Sequence, residues 1–197
     1  MYREIIAKVQ KESPQGTHFH VLVPNESLTD ELKKLSNNGI LKGELRIDDG
    51  RQLSTEQRKK TYAMLHDISV DTGYPPEELK DIMKYHYMGA TGDDYFSLSN
   101  CSVTTARRFI SHLIDFAFEW GIPLMDTAIN RTDDISATLY SSLKHKRCIT
   151  CGKDGEIIAW GHNEKMCLCP ICLEKSQKME RKAFEKFHHV YGIKYQD

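Results

Sequence analysis

Five of the six cysteines of this chain lie between Cys148 and Cys172, and four of them form two Cys-x-x-Cys pairs. Cys148-Ile-Thr-Cys151-Gly152 has the form of a knuckle, in which two thiolates grip one ion and the glycine permits the tight turn. Cys169-Pro-Ile-Cys172 supplies the second pair, and the 17 residues between Cys151 and Cys169 fall in the range of paired zinc sites. The expectation is one structural zinc ion held by Cys148, Cys151, Cys169 and Cys172. Four thiolates leave no open position for water, so such an ion would hold the fold and would not hydrolyse a substrate. The competing reading is a disulfide or unrelated core cysteines, which a reducing compartment disfavours. Cys167 could replace Cys169, although only Cys169 makes the two-residue bite with Cys172. Cys101 stands apart and reads as a small buried apolar residue.

The remaining residues able to do chemistry are cations. Arg51, Arg58, Lys59 and Lys60 cluster around the start of one predicted helix, Arg107 and Arg108 near the start of another, and Lys144, Lys146 and Arg147 lead into the first knuckle. Such side chains neutralise phosphates without reading sequence, and Tyr62, Tyr85 and Tyr87 would stack bases where exposed. The alternative is that each cation belongs to a solvated face and each tyrosine to the core. A net charge of −1 excludes a nucleic-acid binder that works by bulk charge. The mean conceals an asymmetry, because residues 1–143 sum to −5 and residues 144–197 to +4. A basic tail on an acidic body hints at a polyanion partner.

These residues must be positioned by a fold that the sequence reads as α+β. Strand formers in Tyr2–Val9 and His18–Val23 flank the turn signal Ser13-Pro-Gln-Gly16 and predict a hairpin. A short helix over Leu28–Leu35 and a strand over Gly43–Ile47 complete a small N-terminal sheet. Ser54 with Gln57 is a capping box opening a helix to about Thr72. Gly73-Tyr-Pro-Pro76 breaks it and starts a second helix. Ser102 caps a third, whose apolar stripe Phe109, Leu113, Phe116, Ala117 and Trp120 ends at Gly121 and marks it as the centre of the core. The polar stretch Asp126–Asp134 reads as a linker before a short helix near Ile135–Leu143. Gln177–Tyr191 carries Met179, Ala183, Phe184, Phe187 and Val190 at helical spacing. No apolar run approaches the roughly 20 residues of a membrane span, and Met1–Gln10 lacks a signal-peptide core, so a cytoplasmic protein is expected.

The segment Arg51–Leu124 resembles the lambda Orf (NinB) family of phage recombination mediators, through Arg51-Gln-Leu-Ser-Thr-Glu-Gln-Arg-Lys59, Asp67-Ile-Ser69, and Phe96-Ser-Leu-Ser99 leading into the helix Val103–Trp120. That resemblance implies a homodimer that binds single-stranded DNA and works with single-stranded DNA-binding protein and a recombinase inside the phage-infected bacterium. With the cysteine module attached, the chain is similar to phage proteins described as HNH nucleases. Their chemistry needs a general-base histidine on the first strand after the knuckle and a second, metal-binding histidine on the following helix. Here the strand reads Glu156-Ile-Ile-Ala-Trp160 and the helix Cys172-Leu-Glu174, so Ala159, Trp160 and Leu173 stand where those histidines belong. His162 and the pair His188-His189 lie outside those positions.

The combined expectation is an Orf-like α+β domain over residues 1–130, with its sheet packed against three main helices. A linker and short helix follow over 131–145, then an HNH-like zinc module over 146–197 with its C-terminal helix. The expected function is non-enzymatic single-stranded DNA binding in recombination, with no catalytic residues. The rivals are a metal-dependent HNH endonuclease and a zinc adaptor docking on a host replication or recombination protein.

Overall fold

The computed structural model describes residues 6–14, 16–22 and 51–195. The chain divides into two compact units, Met1–Ile47 and Asp48–Asp197. In the first unit, β1 (Ile6–Ser13) and β2 (Gly16–Leu22) form an antiparallel hairpin in which Ser13 pairs with Gly16, with a bulge between Val9 and Lys11. The expected helix Leu28–Leu35 and strand Gly43–Ile47 lie outside the described residues.

The second unit begins with α1 (Thr55–Thr72), where the Ser54 hydroxyl accepts from the Gln57 amide and the Gln57 side chain accepts from the Ser54 amide. Gly73 ends it in the left-handed region at φ 77°. Pro76 opens α2 (Pro76–Thr91), with Glu77 and Glu78 facing the positive end of the helix. Ser102 caps α3 (Val103–Trp120), and Gly121 closes it. Leu65, Ile68, Met83, Tyr87, Phe109 and Leu113 from these three helices are buried in one cluster, each apolar side chain contributing roughly 1.5–3 kcal/mol. Trp120, read as part of that stripe, is 68% exposed at the last position of α3, its ring 6.1 Å from that of Phe116.

The stretch read as a linker is structured. It holds the single turn α4 (Ala128–Arg131) and leads into α5 (Ile135–Lys144), which packs on α3. Arg131 reaches back to the buried Asp67 carboxylate of α1 at 3.6 Å, and Asp67 also accepts from the Met125 amide. Beyond the first knuckle, β3 (Glu156–Gly161) and β4 (Glu164–Leu168) form a second antiparallel hairpin, followed by α6 (Pro170–Gln177) and α7 (Arg181–His188). The helix expected after the second knuckle is α6, and the helical pattern of Gln177–Tyr191 forms the shorter α7. Phe184 and Val190 are buried while Phe187, in the same helix as Phe184, is 71% exposed. A second buried cluster joins Ile129, Leu139, Ile149, Met166, Leu168 and Phe184. The result is a helix-rich α+β chain with two-stranded sheets. No helix among the described residues is long and apolar enough to cross a membrane.

Candidate functional site

The two knuckles meet where a turn and a helix start are brought together. The Gly152 amide donates to the Cys148 carbonyl at 2.7 Å, and Gly152 takes φ 73°, a turn that folds Cys151 back beside Cys148. On the opposite side, Cys169 precedes α6 and Pro170 fixes its first turn, so Cys169 and Cys172 face the same way. The sulfurs of Cys148, Cys151, Cys169 and Cys172 all lie within 4.8 Å of one another. Cys151 and Cys169 are 3.6 Å apart, and Cys151 and Cys172 3.8 Å. None of the cysteines is in a disulfide. Four thiolates at tetrahedral spacing form a donor set that suits a soft or borderline ion such as zinc.

Cys167 is not in this group. It lies beneath Gly155, where an added Cβ would sit 2.9 Å from its Sγ, and burial pushes its thiol up to about 12. Of the five clustered cysteines, four thus gather as candidate metal ligands and Cys167 is a packed thiol.

The strand and helix that would carry hydrolytic histidines are occupied by apolar packing. Ile158 and Trp160, two residues apart on β3, both pack against the second buried cluster. The Trp160 ring rests on Phe184 at 5.4 Å, and its indole N–H donates to Glu185 at 2.7 Å. Leu173 of α6 packs against the same cluster. His162 lies exposed at the hairpin tip and His189 exposed beyond α7. His188 is half-buried against Phe184 at 4.5 Å, and burial together with Lys175 pushes its pKa down. These histidines do not converge on one another or on a carboxylate pair.

One further group of metal-ligand types exists among the described residues: Asp115 and Glu119, one turn apart on α3, with His145 at the end of α5. Asp115 accepts from Ser141 at 2.6 Å and lies 3.0 Å from His145 and 3.2 Å from Lys144. Burial raises its carboxyl, but those three partners together hold it below the ordinary carboxylate range. Sequence spacing reveals the Asp115–Glu119 pair, whereas His145 is brought in by tertiary packing alone.

The cations divide into ties and exposed charges. Arg147 donates through Nε to the Phe118 carbonyl at 2.9 Å and pairs with Asp154, locking the end of α3 to the first knuckle. Arg58 donates to the Ser99 carbonyl, Lys60 pairs with Asp133 and Glu56, and Arg108 lies 3.5 Å from Asp93. Arg107 is half-buried, while Arg51, Lys59, Lys144 and Lys146 are exposed. Of the three tyrosines singled out, Tyr87 is buried in the core and Tyr62 and Tyr85 are exposed. Of these cations, Lys144 and Lys146 share a groove.

A β-hairpin followed by a helix, flanked by two Cys-x-x-Cys knuckles whose sulfurs converge, is consistent with an HNH-type module. The wider chain agrees: residues 26–188 match the family described as "putative HNHc nuclease", and the chain belongs to that family. No curated protein and no solved structure matches it. The comparisons give no support to the lambda Orf resemblance, since Arg51–Leu124 lies inside the single span that matches the nuclease family.

Proposed function

We propose that this chain binds DNA as a member of the HNH nuclease family in which the hairpin and helix serve as a zinc-pinned binding frame and not as a hydrolytic centre. The observation that carries this reading is the packing of Trp160 and Leu173 into the second buried cluster. Neither side chain accepts a proton or binds a hard cation, and a base must lie within hydrogen-bond reach of the attacking water. The zinc, held by Cys148, Cys151, Cys169 and Cys172, supplies rigidity. The cations left exposed by the fold, Lys59 and Lys146 among them, supply phosphate contacts.

A second reading is favoured by the family match itself: a metal-dependent endonuclease. Its hydrolytic ion would need ligands other than the thiolates, and Asp115, Glu119 and His145 are the residues of suitable type that the fold brings together. One experiment separates the two. The full chain is titrated against single-stranded and duplex oligonucleotides by fluorescence anisotropy with magnesium, manganese or nickel present, and the length of the DNA is checked afterwards. Binding with intact DNA is expected. Cleavage lost in Glu119→Gln with the zinc retained would replace the first reading by the second, and no binding to either DNA would remove both.

A further inference from the structure

A groove of about 1160 Å³ in the second unit runs along β3, and neither Trp160 nor Phe184 lines it. Ala159 pairs with Lys165 across the hairpin and both line the groove, as does Ile158, whose cross-strand partner Met166 is buried in the second cluster. The floor is the apolar strand surface of Ile157 and Ala159.

Its walls are basic and aromatic. Lys144 and Lys146 come from the end of α5 and the turn after it, Lys165 from β4, and Lys194 from the segment that bridges back to β4 through Ile193. Lys146 holds φ 52°, and its carbonyl accepts from the Gly155 amide at 2.8 Å, which fixes its place beside β3. Two carboxylates also line the groove, Glu156 and Glu164. Glu164 is paired with Arg181, and Lys144 with Asp115, so Lys146 and Lys194 carry the excess of positive charge over Glu156. The Tyr195 ring lines the same groove, has the Lys165 ammonium 5.8 Å from its centre, and meets the 55% exposed Tyr140 edge-on at 5.5 Å.

We infer that this groove is the track for a single-stranded nucleic acid, with Lys146 and Lys194 on phosphates and Tyr195, supported by Tyr140, stacking on a base. The inference rests on the DNA-binding reading and names its surface and strand type. Lysines around a trough neutralise a backbone whatever its sequence. An aromatic face beside them selects unpaired bases, because a duplex hides the faces of its bases in its own stack.

The test uses the full zinc-loaded chain and labelled oligothymidine, oligouridine and a duplex of equal length, followed by anisotropy over a range of salt. The unmodified chain is expected to prefer the single strands, and the two single-stranded arms show whether DNA or RNA is taken. Lys146→Gln with Lys194→Gln should flatten the slope of log affinity against log salt by about 1.4, from about 0.7 for each phosphate that is no longer neutralised. Tyr195→Ala should weaken single-strand binding by roughly 5- to 150-fold, and Tyr195→Phe should retain it. Zinc content and helical signal serve as the check on folding. If the unmodified chain binds and the lysine and tyrosine variants bind equally well, the groove is not the track while the DNA-binding reading stands. Preference for the duplex overturns the strand type, and no binding by the unmodified chain overturns both readings.

Discussion

Removing the metal should unfold the knuckle and hairpin while sparing the three long helices. Sulfur separations of 3.6 and 3.8 Å are edges of a tetrahedron whose centre lies about 2.2–2.3 Å from each corner, the distance of a zinc–thiolate bond. X-ray absorption at the zinc edge should therefore find one zinc per chain with four sulfurs at about 2.3 Å. Structural zinc supplies about 10–16 kcal/mol in small modules, comparable to or above the roughly 5–15 kcal/mol that holds a whole domain together. Cys148, Cys169 and Cys172 are themselves members of the second buried cluster, so that cluster loses its anchor on chelation, whereas the first contains none of the four ligands. The two tryptophans give a local reporter, since Trp120 is largely exposed and Trp160 is half-buried on Phe184. In a Trp120→Phe chain, a strong chelator should shift the Trp160 emission to the red, leave most of the helical circular dichroism, and be reversed by added zinc. A purified chain without zinc, or unchanged Trp160 emission after the metal has left, would refute the reasoning.

Three further outcomes follow from particular contacts. Arg131→Met should cost about 3–5 kcal/mol in urea unfolding, because it strands the buried Asp67 carboxylate, and adding Asp67→Leu should recover part of that loss. Equal costs in the single and double variants would show that the pair is not coupled. Gly155→Ala should lower the melting temperature, at about 1–3 kcal/mol, since the new methyl would lie 2.9 Å from Cys167 Sγ and 3.0 Å from the Leu168 backbone; an unchanged melting curve would deny that close approach. Burial and the neighbouring His86 push His112 down to about 4 from its ordinary 6.5, with Asp115 opposing. The unfolded chain then takes up the proton first, so this stability is complete above about pH 6.5 and is lost as pH falls towards 4, by at most roughly 3 kcal/mol. His112→Gln should flatten the fall in urea midpoint over that window, and parallel curves for the two chains would dismiss the assignment.

The helices were legible because their signals are local. Ser54 with Gln57, Pro76, Ser102, Gly73 and Gly121 each act within one turn, and each cap or stop forms where its residue type demands. The stretch Asp126–Asp134 was illegible for the opposite reason. Its polar residues make their contacts with distant partners, Arg131 with Asp67 and Asp133 with Lys60 and Gln57, so neither periodicity nor composition marks it as packed. In the final stretch Phe184 and Phe187 are both apolar at helical spacing, and the spacing alone does not say that only Phe184 meets the core.

The four thiolates were readable because a two-residue bite is itself a geometric constraint, and the chain between the pairs has only to close. The missing histidines were equally readable, position by position, but the use made of their places was not. On an alternating strand, Trp160 and Ile158 should share a face with each other and oppose Ala159, which a sequence supports without saying which face is covered. The hairpin register decides it by putting Met166 and Leu168 in the core. That choice places Trp160 against Phe184 and leaves Ala159 with Lys165 on the open groove. A catalytic cation and an indole ring cannot share the inner face, since one needs polar ligands and water and the other displaces both. A chain that fills this face with Trp160 and Leu173 gains a firmer hairpin and leaves the outer face as the surface on which the module can meet a polyanion.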